Sequence, residues 1–281
     1  MNNEFEINFS VLITIYYKEN PIFFKEAIDS ILVNQTLKPK QIVIVKDGPL
    51  TLELDKAIDR YLKEYKDVFK IVSLEKNMKQ GFAANVGGKY CENEFIARMD
   101  ADDIAFPDRF EKQFKHLIDS DLDIVGGQLL EFVGNKKNIV SERKVPKKHE
   151  DIVSMLKYRM PVSNPTIIYK KKVFDDINGY DGKSFPEDYD FFVRAYLKGF
   201  KFGNVKDNIL FFRLGENIDD VLKRRHGYQY AKNEFKLMRK FYRIGFYNFF
   251  EFLKIIIIKI PVRLLPFKVF KFLYYRLFRK L

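Results

Sequence analysis

Through residues 10–99 the chain alternates short, continuously apolar runs with longer stretches of helical spacing. Residues 10–17 (SVLITIYY) and 41–46 (QIVIVK) are β-branched runs bounded by turn residues, and each predicts a strand. Between them Pro21 suits the first turn of a helix, and Ile22, Phe23, Ala27, Ile28, Ile31 and Leu32 follow with helical spacing. The same reading predicts a helix over 51–65, a strand over 69–74, a helix over 80–90 and a strand over 95–99. Strands separated by helices of this length imply βαβ units and a parallel sheet. Their lack of polar alternation implies that the sheet is covered on both faces. Further on, the pattern predicts a helix over 107–120, strands over 123–133 and 166–169, and helices over 188–198 and 219–242. Residues 134–161 are more polar and carry no assignable period. No repeat or linker divides the first 215 of the 281 residues, so one α/β domain over 1–240 with a tail over 241–281 is expected.

The apolar run at 95–99 ends in three carboxylates within four positions, Asp100, Asp102 and Asp103. Like charges this close repel, so a fold that gathers them needs a cation among them. A hard divalent ion, Mg²⁺ or Mn²⁺, fits, because it takes oxygen ligands and shares its shell between one or two carboxylates and substrate phosphates. An isolated Asp-x-Asp is equally an acidic turn ahead of a helix. The place at a strand end favours a site, because ligands of open α/β sheets bind beyond the carboxyl ends of the strands. Two further acidic positions stand at element ends. Asp47 closes the second strand and precedes Gly48, a pair that is also ordinary turn chemistry. Glu187 and Asp188 open a helix, where an acid is also an ordinary cap or first-turn charge.

Composition narrows the setting. The single cysteine, Cys91, excludes an internal disulfide and a cysteine-based zinc site, and His116, His149 and His226 lack metal-ligand spacing. Residues 1–6 hold no apolar core of signal-peptide length, so a reducing cytoplasm is the expected compartment. The net charge is +12, of which +8 lies in 241–281, where nine basic residues stand against one acid, Glu251.

The blocks now fall into an order. They are the segment 10–20 with Tyr16 and Glu19, Val45-Lys46-Asp47-Gly48-Pro49, and Asn77 to Gly81 with Ala84-Asn85-Val86-Gly87. Then come Arg98-Met99-Asp100-Ala101-Asp102-Asp103 with Pro107-Asp108-Arg109-Phe110, and Asn178-Gly179-Tyr180-Asp181 with Pro186-Glu187-Asp188-Tyr189-Asp190. Together they resemble the family-2 glycosyltransferases, inverting nucleotide-sugar enzymes of the GT-A fold, over about residues 9–227. The similarity is strongest to bacterial enzymes of capsule, exopolysaccharide and O-antigen synthesis, including galactosyltransferase-like members. It implies a Rossmann-like, mixed and mainly parallel sheet flanked by helices, with a C-terminal amphipathic helical tail. It further implies that Tyr16, Glu19, Asp47, Gly81, Asn85, Arg98 and Asp100 line the donor site, with Asp47 on a uracil base. Asp102, supported by Asp100, would hold Mn²⁺ or Mg²⁺. Asp188 would take the proton from the acceptor hydroxyl, and Glu187 would orient the acceptor or Asp188. The implied partners are a UDP-sugar, with UDP-galactose the guess by resemblance, and a glycan or polyprenyl-diphosphate-linked acceptor. Asn164 stands where many members carry histidine, which leaves a hydrogen-bonding role only. Arg224-Arg225-His226-Gly227 resembles a late basic block that could clamp the diphosphate, or is a solvated helix face. Arg109 is expected to pair with an aspartate of the metal block.

In the tail, the aliphatic run 255–258 is bracketed by Lys254 and Lys259, far short of the about twenty apolar residues a spanning helix needs. From Phe267, the residues Phe270, Tyr274, Leu277 and Leu281 keep helical spacing, with Lys268, Lys271, Arg279 and Lys280 between them. A basic amphipathic helix with aromatics suits an anionic membrane surface, so a peripheral place on the cytoplasmic face is expected; the alternative is docking on the catalytic domain or a second subunit. Two other functions fit less well. A nucleotidyltransferase would carry a Gly-rich basic loop where this chain has Tyr16-Tyr17-Lys18-Glu19-Asn20-Pro21. A non-enzymatic basic module for membranes or nucleic acid does not suit three ordered acidic sites, and no nucleic-acid partner is expected.

Overall fold

The computed structural model describes residues 7–215 and 218–278. Strands β1 (Phe9–Ile15), β2 (Gln41–Lys46), β3 (Phe69–Ser73) and β4 (Phe95–Asp100) alternate with helices α1 (Pro21–Leu32), α2 (Leu52–Glu64) and α3 (Gln80–Gly88). Next come β5 (Ile104–Ala105), α4 (Arg109–Asp119), β6 (Ile124–Phe132), β7 (Ile139–Arg143), α5 (His149–Leu156) and a single 3-10 turn, Asn164–Thr166. β8 (Ile168–Lys170), α6 (Lys171–Asp176), α7 (Glu187–Leu197) and β9 (Phe202–Arg213) complete the sheet region. The chain then runs through α8 (Ile218–Lys223), α9 (Tyr228–Arg243), α10 (Phe249–Leu264) and α11 (Phe267–Phe278).

The strand order is β3-β2-β1-β4-β8-β6-β9-β5, with β7 on β6. β3, β2, β1 and β4 are mutually parallel; β8 runs antiparallel to β4 and β6, and β9 parallel to β6. Side chains alternate between two cores, as the period of a strand requires. Val11, Ile13, Ile42 and Ile44 meet α1, α2 and α4 on one face. Leu12, Val43 and Val45 meet α3, α7 and the C-terminal helices on the other. Local chemistry fixes the starts of helices: Asn20 Oδ1 accepts the Ile22 N–H at 2.8 Å, and Thr51 Oγ1 accepts that of Leu54 at 3.3 Å.

Three features depart from the sequence pattern. The polar segment 134–161 contains β7 and α5, and a twelve-residue strand, β9, lies where no element was read. The expected helix over 219–242 is broken into α8 and α9 by a turn over 224–227, where Gly227, at φ +90°, precedes the first residue of α9. α9 crosses residue 240, and α10, opened by a capping box between Asn248 and Glu251, buries Ile255 with Phe241, Phe246 and Tyr247.

α11 packs partly on the protein, the alternative stated for the tail. Phe270 is buried against Leu222, with Phe267 packed alongside, and Lys271 pairs with Asp219 at 2.5 Å. Phe270 therefore packs within the protein, with Phe267 partly buried beside it. Arg279, Lys280 and Leu281 lie outside the described residues, as do the side chains of Tyr274 and Leu277. No helix among the described residues is long and apolar enough to cross a membrane.

Candidate active site

β1 is flanked by β2 on one side and β4 on the other, so the sheet order reverses beside it. At such a switch point the connections leave in opposite directions and open a crevice beyond the strand ends. Thr14 pairs with Asp100 across that point, which sets the loop after β1 beside residues 100–103. Burial, with Asp102 and Asp100 beside it, pushes the Glu19 carboxyl up to about 7. Asp102 is pushed up to about 6, by burial first and then by Asp100. Asp100 is also raised by burial, against the pull of Arg98 and Arg109, and accepts from Gln80 Nε2 at 3.2 Å. Asp103 is fully buried and lies well above the usual carboxylate range through burial and its two neighbouring aspartates; its Oδ1 accepts the Arg213 N–H at 2.9 Å.

The opposite wall is the start of α7. Asp188 Oδ1 accepts the N–H of Tyr189 at 2.8 Å. Burial raises Asp188, opposed by that N–H and by the charge of Arg225, while Asp100 adds to the rise. Glu187 is pushed up to about 7 by burial and by Asp188, and Asp100 acts on it as well. The charge of Asp100 thus acts on both acids of α7. Gly81 lets the two walls approach: a Cβ there would come 2.9 Å from Glu187 Cβ. The loop ahead of α7 is braced from behind by Lys240, whose Nζ lies 2.7 Å from Asp181 and 2.5 Å from Asp190.

The remaining expected residues fall as follows. Asp47 is 4% exposed, at the end of β2, and its Oδ1 accepts the Met78 N–H at 2.6 Å, fixing the loop before α3. Asn85 Oδ1 is buried without a hydrogen-bond partner among the described residues, close to Gly179. Tyr16 is half-buried; burial and Glu19 raise its hydroxyl, while Arg224 opposes them. Arg224 acts on Asp102 too, and Arg225 on Asp188; both arginines are exposed in the turn between α8 and α9 and do not lie on a helix face. Asn164 Oδ1 accepts from the Tyr180 hydroxyl at 3.4 Å. Arg98 is wholly buried: it donates to Leu12 O at 3.1 Å and reaches Asp100 at 3.9 Å from inside the protein. Arg109 forms no ion pair with an aspartate among the described residues. It donates to Arg98 O at 2.7 Å and to Gln113 Oε1 at 3.1 Å, and burial pushes it down to about 9.

The main residue missed by the sequence reading is Arg213, which ends β9. Its Nε donates to Asp102 O at 2.8 Å and its Nη2 pairs with Glu26 at 2.6 Å, while its guanidinium stacks 3.8 Å from the Phe23 ring centroid. One side chain therefore ties the aspartate loop to α1. Its signal was an arginine closing the apolar run Phe211-Phe212, the same signature as aspartate closing β4.

These carboxylates carry a testable consequence. Glu19, Glu187 and Asp102 have folded values above their unfolded ones, so the folded state holds protons that the unfolded state releases. Their contribution is complete below the unfolded values and is lost as pH rises through about 6 to 7. Thermal melts in chelator are expected to give a lower melting temperature at about pH 8 than at about pH 6, and Mn²⁺ with UDP is expected to flatten that slope.

The donor set fits a hard divalent cation. The carboxylates repel one another in a buried space, and their oxygens match Mg²⁺ or Mn²⁺. Among the described residues no group of three or more His, Cys, Asp or Glu is arranged so that it alone could hold a metal ion. A cation that shares its shell with substrate phosphates needs only one or two protein carboxylates.

The description "Glycosyl transferase family 2" matches residues 10–177, and "Glycosyl transferase family group 2" matches 95–278. An uncharacterized glycosyltransferase of Haemophilus influenzae is 34% identical over 98% of this chain and 100% of its own length. The UDP-Gal:alpha-D-GlcNAc-diphosphoundecaprenol beta-1,3-galactosyltransferase of Escherichia coli is 33% identical over 97% of each chain. Among solved structures, the mannosyltransferase PcManGT of Pyrobaculum calidifontis, in complex with GDP-Man and Mn²⁺, superposes with a TM-score of 0.64 at 17% identity, over 89% of this chain and 68% of that one. S. aureus TarS superposes at 0.58 and 20% identity over 83% of this chain, which spans 42% of that longer protein. Sequence and fold agree: the chain belongs to glycosyl transferase family 2.

Proposed function

We propose that this glycosyltransferase moves a hexose, galactose by preference, from a UDP-sugar to a hydroxyl of a polyprenyl-diphosphate-linked acceptor, with inversion, in surface polysaccharide synthesis. The observation that carries the reading is the start of α3, where Gln80 donates to Asp100 at 3.2 Å and the adjacent Gly81 lies against Glu187, so that the aspartates and the acids of α7 flank one helix start. A donor held at the aspartates then lies between them and the acids of α7. The Escherichia coli relative, whose name gives UDP-Gal and a diphosphoundecaprenol acceptor, supports the choice of substrates.

In this reading Asp188 accepts the proton of the attacking acceptor hydroxyl, and Glu187 orients it. The raised affinity of Asp188 for a proton makes it a stronger base once ionised. The hydroxyl attacks the anomeric carbon from the face opposite the diphosphate, so an α-linked donor yields a β-linkage. Tyr16, Glu19, Gly81 and Asn85 line the donor space, Asp47 receives the uracil N–H, and Arg98 holds Asp100 in place from within. Asp102 with Asp100 would hold Mn²⁺ or Mg²⁺, which as a Lewis acid neutralises the leaving diphosphate. Arg224 and Arg225 add positive charge at the same end. Residues 1–240 form the catalytic domain in this reading, and 241–281 carry the contact with an anionic membrane surface on the cytoplasmic side.

The test is thermal stabilisation by UDP, GDP, TDP and CMP, each with and without Mn²⁺, in wild type and Asp102→Asn. UDP with Mn²⁺ at one hundred times its dissociation constant is expected to add about 2.7 kcal/mol. Asp102→Asn is expected to abolish that gain. Equal shifts by all four nucleotides, or a UDP shift that survives both chelator and the substitution, would contradict the assignment.

A further inference from the structure

α10 buries two cations and exposes a continuous apolar stripe, an unusual arrangement for a helix in water. Two of its three cations point inward: Lys259 and Arg263 are 5% and 6% exposed and share the buried carboxylate of Glu234 on α9, while Lys254 is exposed. Besides the core-facing Ile255, it carries a second apolar stripe that points outward: Phe250 is 79% and Ile257 69% exposed, with Leu253 and Leu264 exposed on the same line. These four recur at three-, four- and seven-residue steps, one continuous line along the helix. A surface helix of a soluble protein arranges these groups the other way round, cations to water and apolar side chains to the core. The capping box and the Glu234 contacts fix the rotation of α10, so the outward stripe is a built feature.

The neighbouring helix supplies the complement. Lys232, Lys236, Arg239 and Arg243 recur along the exposed side of α9, away from the buried Leu237, Met238 and Phe241. The stacking of Tyr242 on Phe252, with ring centroids 5.0 Å apart, joins the two helices at that edge. An apolar line beside a basic line, both turned from the core, matches an anionic bilayer surface: apolar side chains enter the acyl boundary and cations stay among the headgroups.

We infer that the paired outer faces of α9 and α10, and not the Phe267–Phe270 side of α11, dock this enzyme on an anionic phospholipid surface. This deepens the membrane contact proposed above and rests on it. The geometry also links docking to the reaction. Lys240, which braces the loop ahead of α7, lies on α9, and Arg263 Nη1 donates to Arg225 O at 3.2 Å at the turn facing Asp188.

Flotation of the full chain with phosphatidylcholine vesicles, with and without phosphatidylglycerol, tests the inference. Wild type is expected to float with the phosphatidylglycerol vesicles. Phe250→Glu/Ile257→Glu is expected to lose at least roughly tenfold in partitioning. Lys236→Glu/Arg239→Glu is expected to lose the preference for phosphatidylglycerol while keeping Phe250 and Ile257. All three proteins are expected to keep the stabilisation by UDP with Mn²⁺. If that stabilisation is missing in a wild type that still floats, the donor reading fails and the docking surface stands. Equal flotation of Phe250→Glu/Ile257→Glu and wild type would overturn the inference. So would a wild-type dimer in solution that this variant splits, because a second copy would then cover the face.

Discussion

Asp188→Asn is expected to lower kcat by about 10²–10⁴-fold while leaving the UDP- and Mn²⁺-dependent stabilisation intact. The split follows from where the residue stands. Asp188 stands in the first turn of α7, and its Oδ1 accepts the N–H of Tyr189 at 2.8 Å, a bond that the amide oxygen of asparagine can also accept. The helix start and the cavity wall therefore survive the change, and a group able to take a proton does not. Burial gives Asp188 a raised proton affinity, so the wild-type rate should rise with pH as its carboxyl ionises, and the variant should lack that limb. Steady-state rates against pH, with donor binding measured separately by thermal shift, check both statements. Glu187→Gln is the discriminating control. A loss of kcat larger than that of Asp188→Asn would move the base to Glu187, which shares the same space and the same influence of Asp100.

How far the sequence could carry this site depended on whether its parts were contiguous. β4 and its aspartates were legible because an apolar run ending in charge is a local pattern, and both halves lie within residues 95–103. The parallel half of the sheet was legible for the same reason, since continuous apolar strands alternate with amphipathic helices there. β9 was not, because Lys206-Asp207-Asn208 interrupts its apolar pattern and its register against β6 shifts around Gln128. Missing β9 meant missing Arg213, whose contacts with Asp102, Asp103 and Glu26 join three distant segments. Arg98 and Arg109 were legible as part of the block but not as buried, because charge in a sequence says nothing of depth. The tail shows the limit of periodicity most plainly. α10 is apolar on opposite sides, Ile255 on one and Ile257 on the other, so spacing alone could not choose which one meets the core. The choice is made by Glu234, a single acid twenty-five residues before Lys259.

Glu234→Ala is expected to cost about 3–5 kcal/mol, the ordinary penalty for removing one partner of a buried ion pair. The carboxylate lies between two cations: Lys259 Nζ at 3.1 Å from Oε1, and the Arg263 guanidinium with Nε at 2.8 Å from Oε2 and Nη2 at 3.2 Å from Oε1. Burial alone would raise this carboxyl, but Lys259 and Arg263 outweigh it and hold it below the usual range. A depressed carboxylate contributes stability above its unfolded value and loses it as pH falls through the folded one, so the deficit of Glu234→Ala should be full at neutral pH and shrink in acid. Urea melts at both pH values measure this directly. The substitution leaves Lys259 and Arg263 buried without the acid they share, and rotating α10 to hydrate them would carry Ile255 out of the core beside Phe241. Replacing all three charges together with apolar residues of similar volume should recover most of the loss, because the penalty belongs to the stranded cations and not to the absence of a salt bridge. Activity should fall further than stability at temperatures where Glu234→Ala remains folded, since Arg263 also holds the carbonyl of Arg225 at 3.2 Å in the turn whose charge reaches Asp188. A variant that melts like wild type would mean that α10 is not held by this carboxylate, and its outward apolar stripe would then lose its structural cause.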